Sequence, residues 1–139
     1  MIDTHCHLDV SAFDPDRAQV LQRAAAAGVE AVIVPAIKPS TWANVVALAQ
    51  ASGAAGAAGP RVWPALGVHP QAVPELNLDE RIALAEPEAY LRAALRAAPV
   101  VAVGECGLDG GTAEFDLQCR LFRAQLRVAR ELGLPVLVH

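Results

Sequence analysis

Two of the four histidines in the chain, His5 and His7, stand one residue apart close to the start of the sequence. In a β-strand, side chains two positions apart point to the same side, so both imidazoles would share a face with Asp3 while Cys6 points away. Imidazoles presented side by side form half of a common ligand set for a divalent metal ion. A pair of hydrogen-bonded structural histidines explains this motif equally well when it is considered alone.

Three more potential ligands follow apolar runs of the sequence. His69 lies in "GVHP", Glu105 follows "VVAVG", and His139 ends "PVLVH". A carboxylate after a buried strand is costly unless it is paired, so Glu105 could bridge two cations or form a salt bridge to an arginine. His69 could contact a substrate or lie in an ordinary loop, and His139 could be a ligand or a plain terminal histidine. Asp109, in "GLDGG", could orient a ligand or cap the next helix.

The sequence alternates strand-like apolar runs with segments of helical spacing, which predicts βα units that build a parallel sheet. The predicted strands are "MIDTHC", Val29–Ala36, "RVWPALGVHP", "VVAVGECGLD" and "PVLVH". Four helices are predicted between them. The first begins with Asp14 as its N-cap and ends at Gly28, and the second begins with Ser40 as its cap.

The third predicted helical region spans residues 79–98 and is interrupted at Pro87. The fourth helix ends at Gly133 and carries a clear apolar stripe at helical spacing. That stripe consists of Phe115, Cys119, Phe122, Leu126 and Ala129. The low-complexity stretch "ASGAAGAAGP", residues 51–60, is predicted to be a flexible loop between a helix and a strand.

Five parallel strands and four helices predict an α/β fold of the partial TIM-like (β/α) barrel type. A complete eight-stranded barrel needs about 250 residues. We therefore expect residues 1–139 to form a single domain that is the N-terminal part of a longer barrel, with the C-terminal part absent. The carboxyl ends of the strands meet at one face of such a barrel, so the candidate ligands would come together there.

Composition narrows the class of protein further. The net charge of −4 excludes a global basic field, so any contact with nucleic acid has to come from a local patch. Three cysteines without a CxxC pair indicate neither a disulfide framework nor a zinc ribbon, which predicts a reducing, cytoplasmic location. Cys6 and Cys106 are expected to pack in the core. Neither a signal peptide nor a membrane span is expected.

The motifs "DTHCHLD", "GVHP", "GECGLD" and the closing stretch of residues 115–139 resemble the TatD-like metal-dependent deoxyribonucleases, members of the amidohydrolase-like barrel superfamily. They occur in the right order over the whole chain. In the closing stretch the resemblance rests on Gln118, Phe122, Gln125, Leu126, Ala129, Leu132, Leu134, Pro135, Val136 and His139. The His-x-His motif alone would also fit another amidohydrolase-like phosphoesterase, whereas "GECGLD" favours the TatD-like family.

The resemblance implies a metal-dependent hydrolase of nucleic-acid phosphodiester bonds, with DNA or another phosphodiester as its substrate. It implies two divalent metal ions, which could be zinc, magnesium or manganese. His5 and His7 would hold one ion, Glu105 would bridge both ions, and His139 would bind the second. His69 would lie near the scissile phosphate, so Glu105 and His69 are the expected catalytic residues.

The resemblance leaves other parts of the site open. Asp3 and Asp109 would support the ligands through hydrogen bonds. A further histidine and a further aspartate are implied on later strands, and the 139 residues contain neither. Gln71 and the pair Gly110–Gly111 depart from the family pattern, which bears on substrate preference. The alternative hypothesis is a truncated, non-catalytic fragment or an interaction module, and the oligomeric state is left open.

Overall fold

The computed structural model describes residues 1–54 and 59–139. In these ranges five strands form one parallel sheet, and their order in the sheet follows the chain from the first to the last. The strands are β1 (Ile2–Asp3), β2 (Ala31–Ala36), β3 (Arg61–Leu66), β4 (Ala102–Cys106) and β5 (Val136–Val138). Because each strand pairs with the next one along the chain, the sheet curls into half of a (β/α) barrel, which confirms the predicted fold class.

Within the described ranges, five α-helices accompany the strands instead of the predicted four. They are α1 (Arg17–Ala26), α2 (Pro39–Ser52), α3 (Leu78–Ala83), α4 (Pro87–Ala97) and α5 (Phe115–Leu132). The predicted helical region 79–98 contains two of them, because Pro87 lacks the N–H that a continuing helix needs and instead starts α4 at its first position. Short 3-10 segments, Ser11–Phe13 and Pro70–Glu75, follow β1 and β3.

The core lies between the sheet and the helices. Val34, Val62 and Val103 on the three central strands are completely buried, as are Val45 on α2 and Leu91 on α4. Full burial of a side chain of this size contributes about 1.5–3 kcal/mol relative to exposure. The central strands are therefore firmly held, and their carboxyl ends form a rigid base for the residues that follow them.

Helix α5 is amphipathic as predicted, but its buried face shares only Ala129 with the predicted stripe. Phe115 and Leu126 are 46 % and 40 % exposed. The buried positions are Gln118, Leu121, Ala124, Gln125, Val128 and Ala129. The prediction was wrong because two of these positions are glutamines, which a count of apolar residues assigns to the solvent side, although their side chains bond to loop backbones beneath the helix.

The cap predicted for the first helix is wrong. Helix α1 starts at Arg17, with Asp16 at the N-cap position and no side-chain cap. Asp14 lies in the preceding turn, where its carboxylate accepts a hydrogen bond from Arg17 Nη2 at 2.6 Å. Gly28, two residues after the end of the helix, has φ of +84° and lets the chain reverse toward β2, as expected for a glycine after a helix.

The cap predicted for the second helix is also wrong. Lys38 is at the N-cap position and Pro39 is the first helical residue, because the fixed φ of proline suits that position. Ser40 therefore lies inside the helix. At the other end α2 reaches Ser52, so the predicted loop 51–60 begins with helical residues, and residues 55–58 of that loop lie outside the described residues.

Candidate metal centre

The carboxylate of Glu105 lies among four imidazoles at the carboxyl end of β4. The residue is only 4 % exposed. Its Oε2 atom is 2.9 Å from His5 Nε2 and 3.2 Å from His7 Nε2. Its Oε1 atom is 2.8 Å from His139 Nδ1 and 3.3 Å from His69 Nε2. Each carboxylate oxygen therefore faces its own pair of imidazoles.

Two groups of three side chains could each hold a metal ion. One group is His5, His7 and Glu105, the other is His69, Glu105 and His139, and in each group the ligand atoms lie within 4.8 Å of one another. Imidazole nitrogens and carboxylate oxygens are ligands for zinc, and carboxylates also suit magnesium and manganese. The donor set fits two divalent cations that share one carboxylate. Among the described residues, Glu105 has ion pairs with histidines and none with an arginine.

The two histidines at the start of the chain lie beyond the end of β1, which covers two residues only. The segment nevertheless continues beside β2, because the backbone N–H of Cys6 donates to the carbonyl of Ile33 at 3.1 Å. The Nε2 atoms of His5 and His7 are 3.3 Å apart, and their rings meet edge to face. The two imidazoles share one side, as predicted, although neither belongs to the strand.

His69 has one ring nitrogen fixed by the backbone. Its Nδ1 accepts a hydrogen bond from the N–H of Gln71 at 3.1 Å, so a neutral ring carries its proton on Nε2. That Nε2 lies 3.1 Å from His139 Nδ1 and faces the Glu105 carboxylate. His69 is buried, whereas the His139 side chain is 35 % exposed.

Burial and the neighbouring charges shift two pKa values in the cluster. Burial acts to raise the pKa of Glu105, but the hydrogen bond with His139 and the other histidines outweigh it, and the pKa lies below its usual value. Burial lowers the pKa of His69, although the Glu105 carboxylate opposes this shift. At neutral pH the cluster therefore combines an ionised Glu105 carboxylate, the form that binds a cation, with a neutral His69 ring.

Two glycines allow strands β3, β4 and β5 to approach closely beneath the cluster. A Cβ atom on Gly67 would lie 2.5 Å from Gly104 Cα, and one on Gly104 would lie 2.5 Å from the carbonyl oxygen of Leu137. Gly104 also has φ of +137°, a conformation that favours glycine. Any side chain at these positions would push the ligand-bearing strand ends apart.

Two buried glutamines on α5 hold the loops that carry site residues, a role that sequence reasoning missed. Gln125 Oε1 accepts from the N–H of Val68 at 2.7 Å, and its Nε2 donates to the Val68 carbonyl at 3.2 Å, next to His69. Gln118 Oε1 accepts from the N–H of Asp109 at 2.9 Å. Both residues are among those on which the family resemblance rests, and their spacing of seven, which places them on one helix face, is the signal that could have indicated this shared role.

The two predicted supporting carboxylates lie at the margin of the cluster. Asp3 accepts a hydrogen bond from the backbone N–H of His5 at 3.1 Å. Asp109 Oδ2 accepts from Gln71 Nε2 at 2.7 Å, and its Oδ1 accepts from a backbone N–H of the following turn at 2.8 Å. Asp109 is not the cap of α5, whose N-cap residue is Glu114. Gln71 links Asp109 to His69, because its side chain bonds to Asp109 and its backbone N–H donates to His69 Nδ1.

A cavity of about 330 Å³ opens beside His7 and His69. Its remaining lining residues are Val10, Ile37, Gln71, Ala72 and Glu75. Its volume lies within the range of small-ligand pockets, roughly 300–1,000 Å³. The candidate ligands therefore border a space that a substrate group can enter.

The cysteines next to the ligands do not take part in either group. Burial raises the pKa of the Cys106 thiol to about 12. Burial also raises the pKa of Cys6, and the charges of Asp3 and Asp9 act in the same direction. Because only the thiolate is a good ligand, both cysteines fit the predicted packing role.

The comparison with known proteins places the chain in a family. The model of the family described as "TatD related DNase" matches residues 2–139. The chain belongs to this family. Because the match covers nearly every residue, the other phosphoesterase families that share a His-x-His motif are not needed to explain the sequence.

Curated TatD-family relatives are similar over the whole chain. The uncharacterized metal-dependent hydrolase YjjV of Escherichia coli is 40 % identical over 140 residues, which cover 99 % of this chain and 49 % of YjjV. The 3'-5' ssDNA/RNA exonuclease TatD of Pectobacterium parmentieri is 37 % identical over 141 residues, which cover 100 % of this chain and 49 % of that protein. The chain spans about half the length of these relatives.

Solved structures agree with the half-barrel. The crystal structure of Escherichia coli YjjV superposes with a TM-score of 0.80 at 38 % identity and covers 100 % of this chain and 50 % of YjjV. A TatD-family hydrolase from Entamoeba histolytica gives a TM-score of 0.78 at 22 % identity, covering 100 % of this chain and 49 % of that one, which supports the fold alone.

None of the helices described between residues 1–54 and 59–139 has both the length and the apolarity to cross a membrane.

Proposed function

We propose that this TatD-family chain contributes to a hydrolase that cleaves phosphodiester bonds of nucleic acid with two divalent metal ions. His5 and His7 would hold one ion, His139 the other, and Glu105 would bridge them. The observation that carries the proposal is the Glu105 carboxylate, whose two oxygens face separate pairs of imidazoles at 2.8–3.3 Å. A single buried carboxylate in that position suits two cations better than one.

When bound, such ions supply a water molecule of lowered pKa and stabilise negative charge on the phosphate oxygens. Among the chain's own residues, His69 can donate a hydrogen bond to the substrate. His69 holds its proton at Nε2, because the Gln71 N–H occupies Nδ1. From that atom His69 donates to Glu105 or to a phosphate oxygen of the substrate, which fits a contact with the scissile phosphate better than a place among the ligands.

The proposed substrate is single-stranded DNA or RNA. One relative, 37 % identical to this chain, carries the name 3'-5' ssDNA/RNA exonuclease. We propose the same substrate class for this chain on the basis of that similarity. The cavity beside His7 and His69 gives a nucleotide access, and its apolar residues Val10 and Ile37 provide a wall for a sugar or a base. Gln71 and Asp109, which bond to each other at 2.7 Å, stand at its edge and would influence which substrate fits. The ions would be zinc, magnesium or manganese.

Metal stoichiometry tests the bridging role directly. We expect Zn²⁺ titration of the metal-free chain to show two coupled sites, with affinity lower than a complete TatD-type site would have. Glu105→Gln should weaken both sites, His7→Ala should weaken one of them, and the exposed Glu86→Gln should leave both unchanged. If Glu105→Gln binds as much Zn²⁺ as the unaltered chain at the same concentration, the bridging role is wrong.

Nuclease activity tests the substrate. The assay measures nucleotide release from a single-stranded oligodeoxynucleotide and an oligoribonucleotide with Zn²⁺, Mg²⁺ or Mn²⁺, for the complete gene product and for the 139-residue chain. We expect Glu105→Gln to reduce cleavage by the gene product at least about 100-fold. Cleavage that survives both this substitution and chelation of metals would contradict the proposal.

A second candidate function is that the 139-residue chain is a non-catalytic interaction module. The two outer strands of the described sheet favour it, since Ile2 on β1 and Val138 on β5 are 60 % and 61 % exposed. Exposed apolar strands at a sheet edge promote association. A chain that self-associates or captures a partner without cleaving nucleic acid would support this function.

Two further expectations stay predictions. We expect residues 1–139 to form one domain, and we expect the protein to work in the cytoplasm.

A further inference from the structure

One carboxylate oxygen near the cluster, Oδ1 of Asp9, is buried without a hydrogen-bond partner among the described residues. The Asp9 side chain is only 7 % exposed. A buried carboxylate oxygen without a hydrogen-bond donor destabilises the folded state. Its presence therefore suggests that it accepts a hydrogen bond from a nearby group in the working protein. The ring of His7 offers such a group, since its Nδ1 lies 4.0 Å from Asp9 Oδ1.

The two ring nitrogens of His7 face two different carboxylates. Nε2 lies 3.2 Å from Glu105 Oε2, whereas Nδ1 faces Asp9. His5, His7 and Glu105 are called the first ligand group below, and the cation site they form is called the first site. When Nε2 gives its lone pair to a cation, the neutral ring has to carry its proton on Nδ1. Asp9 is then the acceptor for that proton, after an approach of about 1 Å to reach hydrogen-bond distance.

The backbone around Asp9 is fixed from both sides. Arg17 Nε donates to the carbonyl of Leu8 at 2.7 Å, and Arg17 Nη2 donates to the carbonyl of Val10 at 3.1 Å. Leu8 is itself buried in the core. The turn that follows His7 therefore holds the Asp9 carboxylate on the Nδ1 side of the imidazole.

We propose that Asp9 is a positioning residue for His7. Its carboxylate accepts the Nδ1–H of His7 and leaves the Nε2 lone pair of the ring free for a divalent cation that Glu105 also binds, which strengthens the first ligand group. The inference rests on the proposed function of the cluster as a metal centre. It extends the motif His-x-His to His-x-His-x-Asp, in which the third residue acts through the second.

Zinc affinity of single variants gives the first test. Asp9→Leu, which removes the acceptor, should lower the Zn²⁺ affinity of the first site 10–100-fold, as loss of such a hydrogen bond usually does. Asp9→Asn keeps an oxygen acceptor of the same shape and should lose less than about tenfold. Asp16→Asn, an aspartate that pairs with Arg23 on the surface, should bind as the unaltered chain does. Equal affinity of Asp9→Leu and the unaltered chain would overturn the proposal.

A double-mutant cycle separates positioning from a general structural role. In a His7→Ala background, Asp9→Leu should cause no further loss of Zn²⁺ affinity, because Asp9 acts only through the His7 ring. A second readout is the Nδ1–H signal of His7 in proton NMR spectra of the zinc-loaded chain, which should be present with Asp9 and lost in Asp9→Leu. An equal loss of affinity in both backgrounds, or an Nδ1–H signal that persists without Asp9, would overturn it.

The two levels of proposal fail in different ways. If the unaltered chain takes up no Zn²⁺, the metal centre is wrong and the role of Asp9 falls with it. If the unaltered chain binds Zn²⁺ and Asp9→Leu and Asp9→Asn bind it equally well, only the role of Asp9 is wrong. Should Asp9→Leu fail to fold, the smaller Asp9→Ala, which also removes the acceptor, takes its place in the affinity measurement and in the double-mutant cycle, with the same outcomes expected.

Discussion

Gln125 on helix α5 encloses the backbone of Val68 with two hydrogen bonds. Its Oε1 accepts from the Val68 N–H at 2.7 Å, and its Nε2 donates to the Val68 carbonyl at 3.2 Å. Val68 is buried, so water cannot replace this partner. Because His69 is the next residue, a helix on the outside of the sheet determines where a residue of the candidate metal centre lies.

Replacing Gln125 with leucine should therefore destabilise the fold and displace His69. The substitution leaves a buried N–H and a buried carbonyl unpaired, each costing about 1–3 kcal/mol. Urea denaturation measures the loss. The matched control is Gln19→Leu, an exposed glutamine on α1, which should change the free energy of unfolding by no more than about 0.5 kcal/mol. Equal stability of the two variants would show that the bonds to Val68 contribute nothing.

The approach of β3 to β4 predicts that Gly67→Ala is harmful. The new Cβ would lie 2.5 Å from the Cα of Gly104, a backbone atom that cannot rotate away. Overpacking of this kind costs about 1–3 kcal/mol or more. Gly110→Ala is the control, because a Cβ there has nothing within 4 Å. Thermal unfolding followed by circular dichroism should show a lower midpoint for Gly67→Ala alone, and a midpoint unchanged from the original chain would contradict the prediction.

Glu80 joins α3 to the start of α2, and its ionised form stabilises the fold. Its carboxylate accepts from the backbone N–H of Ser40 at 2.9 Å and from that of Asn77 at 2.9 Å. Burial acts to raise the pKa of Glu80, but these hydrogen bonds and the charge of Lys38 outweigh it, so the pKa lies below its usual value of 4.5. The folded state therefore favours the carboxylate over the acid.

This shift gives the pH dependence of stability a definite sign. A lowered pKa means that the stabilisation is complete above the unfolded-state value and is lost as the pH falls through the lower folded-state value. Glu80→Gln should cost about 1–3 kcal/mol at pH 7, and the difference from the original chain should shrink as the pH falls below about 4.5. The measurement is urea denaturation between pH 3 and pH 7. Asp79→Asn, which removes an exposed charge beside it, should not reproduce this profile.

The buried thiol of Cys106 should resist alkylation in the folded chain. With a pKa of about 12, the thiol is almost entirely protonated at pH 8, and the side chain is completely buried. Mass spectrometry after iodoacetamide treatment should find Cys119, which is partly exposed on α5, labelled well before Cys106. Denaturation in urea should remove the difference. Equal labelling rates in the folded chain would show that Cys106 is accessible.

Local patterns in the sequence are enough to predict the parallel half-barrel and the residue types of the site. Apolar runs separated by helical segments are local patterns, and the order of parallel strands follows from short right-handed connections. The position of each candidate ligand after such a run is likewise local information. For this reason the cluster of His5, His7, His69, Glu105 and His139 could be predicted as a meeting point at one end of the sheet.

What each side chain faces depends on contacts between distant parts of the chain. The division of the Glu105 oxygens between two imidazole pairs depends on its side chain reaching both the segment after β1 and the end of β5, and no local pattern contains that relationship. Periodicity also chose the wrong face of α5, because Gln118 and Gln125 are buried by hydrogen bonds to distant loops rather than by their own hydrophobicity. Polar groups in a core are placed by their partners, and those partners come together only when the chain has folded.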